Sequence, residues 1–136
     1  MDPTELIPHR EPILCIDEVI RVDAEHAVAE RLVREGPHTG EDGLQWEGAL
    51  IEGLAQTAAA MNGHAQRSGD QPPGEGLLVG VRGLVIARRA RIGERIRFRV
   101  ELIKRITPLT LVRGEVTCGD EVIAAGELKF FVGNEP

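Results

Sequence analysis

Only one stretch of the chain, residues 46–66, has sustained helical periodicity, and it is apolar around most of its circumference. Leucine, isoleucine, alanine and methionine recur there at helical spacing, and most other positions are alanine or glycine. A helix of this kind must be buried on several sides. The rest of the chain therefore has to supply a layer that wraps around it.

The segments on both sides of this helix have the alternation and turn residues of β-strands. Two strands are predicted before the helix, at residues 13–22 and 26–34, and four after it, at residues 77–87, 95–102, 109–118 and 122–132. The first of the later strands is almost continuously apolar, which is typical of a strand covered on both faces. Residues 35–45 and 67–76 are predicted loops, and the second is expected to be flexible.

Short connections between strands require antiparallel pairing, because parallel neighbours need a long crossover. The sequence therefore predicts an α+β protein of the hotdog fold, with a curved antiparallel sheet of about six strands wrapped around one long central helix. The 136 residues fill one domain with a real core, so we expect a single hotdog domain spanning residues 1–136.

Charge and cysteine content narrow the function classes. The 22 acidic and 16 basic residues give a formal net charge of −6, which argues against nucleic acid as the main partner. No apolar run reaches the roughly 20 residues of a membrane span, so no membrane partner is expected. Cys15 and Cys118 have neither metal-ligand spacing nor the density of a disulfide scaffold. We expect a cytoplasmic protein with no metal.

Glu52 is the most informative single position, because it lies in the middle of the predicted buried helix. A carboxyl group taken out of water tends to keep its proton, and a protonated acid in an apolar pocket can act as a general acid. Gln56 lies one turn later on the same face, and the small residues Ala59, Ala60 and Gly63 follow. This pattern indicates a polar reacting centre at the mouth of an apolar channel. The residues equally allow Glu52 to pair with an arginine at an interface and to do no chemistry.

His38 lies in the glycine-rich loop before the helix and is the first candidate for a base, because histidine changes its charge nearest to neutral pH. Taken alone, a histidine in a loop is more often inert. His9, which stands between two prolines, is interpreted as a structural loop residue. Arg88, Arg89 and Arg91 form either a docking patch for an acidic partner or a solvated turn.

The segment from His38 to Gln56 resembles the active-site signature of the 3-hydroxyacyl-(acyl-carrier-protein) dehydratases. In that family a loop histidine precedes a helical glutamate by the same interval, and a Glu-x-x-Ala-Gln pattern continues the helix. Residues 7–19 look like the family's Leu-Pro-His-Arg segment, and residues 88–94 are similar to its basic turn. The family's usual His-Phe-Pro-Gly is here His38-Thr39-Gly40-Glu41, so the chain looks closer to the divergent branch of aryl-polyene and related polyketide-type pathways.

The resemblance implies a homodimer or higher homo-oligomer that converts a (3R)-3-hydroxyacyl thioester to the trans-2-enoyl thioester without a cofactor. The substrate would be carried by acyl-carrier protein or coenzyme A. His38 would remove the C2 proton and Glu52, from the other subunit, would protonate the departing hydroxyl. Glu47, Gly48 and Gln56 are the predicted substrate-binding residues, with the first two offering amides to the thioester carbonyl if the Glu47 carboxylate faces solvent. A hotdog thioesterase and a catalytically silent acyl-thioester binding partner are the alternatives.

Overall fold

The computed structural model describes residues 1–69 and 75–133, which form one six-stranded antiparallel sheet packed around one long helix. A single 3-10 turn at Pro3–Glu5 comes first. It is followed by β1 (Glu18–Val22), β2 (His26–Leu32), α1 (Glu47–Arg67), β3 (Glu75–Ile86), β4 (Arg95–Ile106), β5 (Leu109–Cys118) and β6 (Glu121–Gly133). The strand order is β1-β2-β4-β5-β6-β3. The predicted hotdog fold is confirmed, with two strands before the helix and four after it.

The helix packs closely on the sheet because a glycine on each side leaves room for a large side chain of the other. A Cβ atom added at Gly53 of α1 would run into the ring of Phe98 on β4, which is fully buried. On β5, a Cβ atom at Gly114 would lie 3.0 Å from a methyl group of Leu54. The several-sided burial predicted for α1 is found along the helix, whose buried residues are Ala49, Leu50, Gly53, Leu54, Gln56, Thr57, Ala58, Ala60, Met61 and Ala65.

The first strand is shorter than predicted. It begins at Glu18 and not at residue 13, because the amides of Ile13 and Leu14 both turn back to the carbonyl of Arg10, at 3.0 and 3.1 Å. Alternation along residues 13–22 predicts that Ile20 shares a face with Leu14 and Ile16, which are buried, but Ile20 is 42% exposed and Val19 is buried instead. The cause is a register shift between Val19 and Arg21 in the pairing with β2, which moves Ile20 to the other face.

The prediction that the strand after the helix is covered on both faces is wrong within one chain. β3 pairs with β6 and lies at the edge of the sheet, so one of its sides has no neighbour among the described strands. Leu77, Val79, Val81 and Val85 are 64, 50, 41 and 67% exposed. A long, apolar edge strand is a surface on which a further strand can pair. Residues 70–74, in the predicted flexible loop, lie outside the described residues.

The strands that follow agree more closely with the sequence. Alternation on β4 is as predicted, with Ile96, Phe98 and Val100 buried, and the strand continues to Ile106 instead of ending at residue 102. The residues Gly119-Asp120 predict a two-residue hairpin turn between the last two strands, and the structure has it between β5 and β6, where Gly119 takes the positive φ of 59° that this turn requires. None of the helices in the described part of the chain is long and apolar enough to cross a membrane.

Candidate active site

A cavity of about 410 Å³ lies between α1 and the sheet, and Glu52 is part of its wall. The helix lines it further with Ala55, Ala59 and Gly63, one turn apart from one another. Apolar side chains of the sheet complete the wall, among them Leu78, Val112 and Phe130. The predicted combination of an acid with a groove of small residues is therefore present. The volume of the cavity lies within the usual range of small-molecule sites, about 300–1,000 Å³.

Glu52 is less buried than the sequence predicts. Its side chain is 39% exposed, because it faces the cavity and not the packed interior of the sheet. Oε1 of Glu52 accepts a 2.9 Å hydrogen bond from the side-chain amide of Gln56. Within residues 1–69 and 75–133 no arginine pairs with this carboxyl group. One chain thus presents Glu52 to the cavity, held at one of its two oxygens.

Gln56 was predicted to bind substrate, and this stays a prediction; within one chain its side chain is engaged inside the protein. Its side chain is fully buried, and the amide is used by three bonds inside the protein. Besides the bond to Glu52, Oε1 accepts from the backbone N–H of Cys15 at 2.7 Å, and Nε2 donates to the carbonyl of Ile13 at 2.9 Å. Gln56 therefore positions Glu52 and anchors the segment of residues 13–15 to the helix.

His38 contacts residues 12–15 as well, the segment that Gln56 anchors to the helix. Its Nε2 lies 2.6 Å from the carbonyl oxygen of Pro12 and 3.8 Å from Sγ of Cys15. Because a carbonyl oxygen only accepts, Nε2 carries the hydrogen and the lone pair is on Nδ1. Burial raises the pKa of the Cys15 thiol to about 11, with smaller contributions in the same direction from the Glu52 and Glu11 charges. The thiol is therefore protonated at neutral pH and is no nucleophile.

His38 and Glu52 do not meet within one chain. No ion pair or hydrogen bond joins them in the structure described here, and His38 is absent from the wall of the cavity. Each is tied to a different part of residues 12–15, His38 directly through Pro12 and Glu52 indirectly through Gln56. Their convergence on one substrate stays a prediction that concerns a pair of chains.

Glu47 and Gly48 begin α1 at a surface that is open to solvent. Both residues are exposed, and the N-cap residue Trp46 makes no side-chain hydrogen bond to the first turn. The first-turn N–H groups of a helix have no partner within the helix and carry its positive dipole end. The exposed Glu47 meets the condition that its carboxylate should face solvent. Neither residue lines the cavity that contains Glu52.

Sequence reasoning missed His9 as a site residue. Its Nε2 lies 3.9 Å from Oε1 of Glu52, and both side chains line the cavity. The local signals are the prolines at positions 8 and 12 and the resemblance of residues 7–19 to the family's Leu-Pro-His-Arg segment, and neither shows what the loop packs against.

The basic cluster after β3 is largely balanced by acidic side chains. Arg88 binds Glu94 at 2.9 Å and Glu121 at 3.0 Å, and Arg89 binds Asp42 at 2.8 Å. Two of the three arginines are therefore committed to internal ion pairs. This arrangement favours the structural interpretation of the turn over a docking patch.

Comparison with known proteins identifies the family. The model of the ApeP-like family, described as ApeP dehydratase, matches residues 1–136. The 3-hydroxyacyl-(acyl-carrier-protein) dehydratase FabZ of Bacillus pumilus is 30% identical over 138 residues, covering 95% of this chain and 92% of the relative. The FabZ of Oceanobacillus iheyensis is 28% identical over 135 residues, or 94% of each chain.

Solved structures share the fold. A chain of the dehydratase heterocomplex ApeI:P from Xenorhabdus doucetiae superposes with a TM-score of 0.89 at 21% identity, covering 99% of this chain and 93% of that one. A hypothetical thioesterase with coenzyme A from Streptococcus pneumoniae gives a TM-score of 0.71 at 11% identity, with coverage of 87 and 86%. Since the family model covers every position of the sequence and the predicted resemblance to the dehydratases is thereby confirmed, the chain belongs to the ApeP-like dehydratase family.

Proposed function

We propose that this chain removes water from (3R)-3-hydroxyacyl thioesters to give trans-2-enoyl thioesters, with His38 of one subunit as base and Glu52 of the other as acid. The observation that carries the proposal is the carboxyl group of Glu52, which faces a cavity of about 410 Å³ and is held at Oε1 by Gln56. The substrate carrier is proposed to be acyl-carrier protein or coenzyme A.

The hydrogen bond from Gln56 decides where the acid carries its proton. An oxygen that accepts an N–H bond acts as the carbonyl oxygen of the acid, so the proton resides on Oε2. Oε2 is the oxygen left for the substrate. In the proposed step, Oε2 gives its proton to the C3 hydroxyl, the C3–O bond breaks, and water leaves while the C2–C3 double bond forms.

A hydrogen bond to the backbone also fixes which ring nitrogen of His38 acts as the base. Because Nε2 of His38 donates to Pro12, Nδ1 has the free lone pair that takes the C2 proton. The open N–H groups at Glu47 and Gly48 are proposed to bind the thioester oxygen, on which negative charge develops as the C2 proton leaves. The small residues Ala55, Ala59 and Gly63 leave space for the acyl chain along α1.

The site needs a second chain, and the exposed edge of β3 is the proposed contact. Pairing β3 with the β3 of a second copy would satisfy the open backbone edge of a strand whose side chains Leu77, Val79, Val81 and Val85 are exposed in one chain. In the proposed dimer, the His38 loop of the partner reaches Glu52. We propose a homodimer for this chain, in a single domain, and the cytoplasm as its location, because both cysteines are free.

The chemistry is tested with a 3-hydroxyacyl thioester, by following the conjugated enoyl absorbance and the free thiol together. We expect enoyl formation without thiol release, and a loss of at least about 100-fold in His38→Ala and in Glu52→Gln. His26→Ala is the matched control, because His26 lies on β2 and binds Asp23, away from the cavity. Thiol release alone would indicate a thioesterase. Binding without either product would indicate a silent partner.

The assembly is tested by mixing the two inactive variants. If each site combines His38 of one chain with Glu52 of the other, random exchange between His38→Ala and Glu52→Gln restores about a quarter of the activity, since one mixed dimer site is intact. No recovery would place both residues in one chain. A chain that stays monomeric by itself would contradict the homodimer.

A further inference from the structure

The loop that contains His9 lies directly against α1. A Cβ atom added at Gly63 would run into the carbonyl oxygen of Leu6, so the N-terminal segment touches the helix backbone at this point. Arg10 then fixes the turn that follows, because its Nη1 donates to the carbonyls of Ile7 at 2.9 Å and His9 at 2.8 Å. The backbone around His9 is therefore held in place, and its side chain is part of the cavity wall.

The two ring nitrogens of His9 have different surroundings. Nε2 faces Oε1 of Glu52 at 3.9 Å, whereas Nδ1 is buried and has no hydrogen-bond partner in the described part of the chain. A buried N–H without an acceptor is destabilising, and an unused lone pair is tolerated more readily. The arrangement therefore favours the tautomer that has its hydrogen on Nε2, directed at Glu52.

We propose that His9 is a positioning residue for Glu52, a role that rests on the proposed function. His9 directs a second N–H group at Oε1, the oxygen that Gln56 already binds, and so leaves Oε2 for the substrate. His9 belongs to the same chain as the acid that it positions. It is therefore distinct from His38, which is the base of the proposed mechanism.

The distance indicates when His9 acts. At 3.9 Å its N–H is too far from Oε1 for a direct hydrogen bond, for which the limit is about 3.2 Å. When Glu52 gives up its proton, Oε1 gains negative charge and attracts the N–H more strongly. A small rotation of either side chain then closes the gap. His9 thus stabilises charge that forms during the reaction, so its removal lowers kcat more than it changes KM.

The experiment compares three variants of the full chain in the dehydration assay. We expect His9→Leu to lower kcat about 10- to 100-fold with KM changed less than about threefold. His9→Gln keeps an N–H near the position of Nε2 and should recover most of the loss. His26→Leu, the matched control, should leave kcat unchanged. Equal losses in His9→Leu and His9→Gln, or wild-type kcat in His9→Leu, would overturn the proposal.

Nitrogen NMR of the wild-type chain gives a readout that does not depend on turnover. The imidazole signals of His9, assigned by their loss in His9→Gln, should show the hydrogen on Nε2, and the Nε2 signal should shift in Glu52→Gln. A hydrogen on Nδ1, or no response to Glu52→Gln, would overturn the role of His9. Absence of enoyl formation by the wild type would instead refute the proposed function and leave this reading of the tautomer intact.

Discussion

Gln56 and Glu52 lie one helical turn apart on α1, and the amide of Gln56 donates to Oε1 of Glu52 across 2.9 Å. The same amide binds the backbone of Ile13 and Cys15, next to Pro12, whose carbonyl holds His38. One buried side chain thus links the supports of the proposed acid and the proposed base.

Replacing Gln56 by leucine should therefore damage activity and stability together. The N–H of Cys15 would lose its partner in a buried place, and the carbonyl of Ile13 would keep only the thiol of Cys15, at a cost of about 1–3 kcal/mol. We expect kcat to fall about 10- to 100-fold, because the acid is no longer oriented. Urea unfolding and the enoyl assay measure the two effects.

Thr57→Val is the matched control for Gln56→Leu. Thr57 is buried beside Gln56, but its hydroxyl donates to Gly53 within the helix, at 2.7 Å. Its loss should lower stability slightly and leave kcat unchanged. A Gln56→Leu variant with wild-type kcat would show that Gln56 is not needed to orient Glu52.

Gly63→Ala tests the close contact between α1 and the N-terminal segment. The added Cβ atom would meet the carbonyl oxygen of Leu6, which is backbone and cannot rotate away. We expect a loss of about 1–3 kcal/mol in the free energy of unfolding. Gly48→Ala is the control, because a Cβ atom there meets nothing within 4 Å, and it should be neutral or stabilising by up to about 1 kcal/mol. Equal stability of the two variants would contradict the contact.

Local patterns were sufficient for most of the fold. The helix was predicted at residues 46–66 and is found at Glu47–Arg67, because its periodicity extends over many turns. Ile20 was placed on the wrong face because one irregular pair in the β1–β2 register reverses the alternation, and no residue type marks it. The exposure of β3 depends on which strand is last in the sheet, and strand order is set by long-range pairing.

The candidate site also has a part that the sequence predicts and a part that depends on tertiary packing. A spacing of four places Glu52 and Gln56 on one helix face, and this part of the site was predictable. What faces them was not, because His9 is more than 40 positions earlier in the chain and reaches Glu52 only through the packing at Gly63. The burial of Gln56 likewise depends on residues 13–15, which were expected to be a strand.

Charges on the edge of β3 should prevent assembly of the site. In one chain Val79 is 50% exposed, so Val79→Lys is tolerated there, but it would place an ammonium group at the proposed contact between two copies. We expect a monomer by analytical ultracentrifugation, with enoyl formation reduced at least about tenfold. Ile20→Lys is the control, because Ile20 is 42% exposed on β1, the other edge. A dimeric, active Val79→Lys variant would exclude β3 as the contact.

The two cysteines should differ in their reaction with iodoacetamide. Burial raises the pKa of Cys15 to about 11, and its side chain is almost inaccessible. The pKa of Cys118 is also raised, mainly by burial, but this residue is only partly buried. At pH 8 we expect mass spectrometry to find slow labelling of Cys118 and almost none of Cys15 until urea unfolds the chain. Rapid labelling of native Cys15 would show that residues 12–15 open readily.

The ion pair of Arg88 and Glu94 should give the fold an acid-sensitive component. The Arg88 guanidinium holds the pKa of Glu94 at about 2, well below its ordinary value of 4.5. A lowered pKa in the folded chain stabilises it above pH 4.5, and this stability is lost as the pH falls toward 2. Because both side chains are about one quarter exposed, we expect the ion pair to add only about 1–2 kcal/mol to the free energy of unfolding at pH 7. Urea unfolding of the wild type and Glu94→Gln should show this difference at pH 7 and a much smaller one near pH 2. Asp120→Asn, in the exposed turn before β6, should follow the wild type, and a pH-independent difference for Glu94→Gln would show that packing and not charge is responsible.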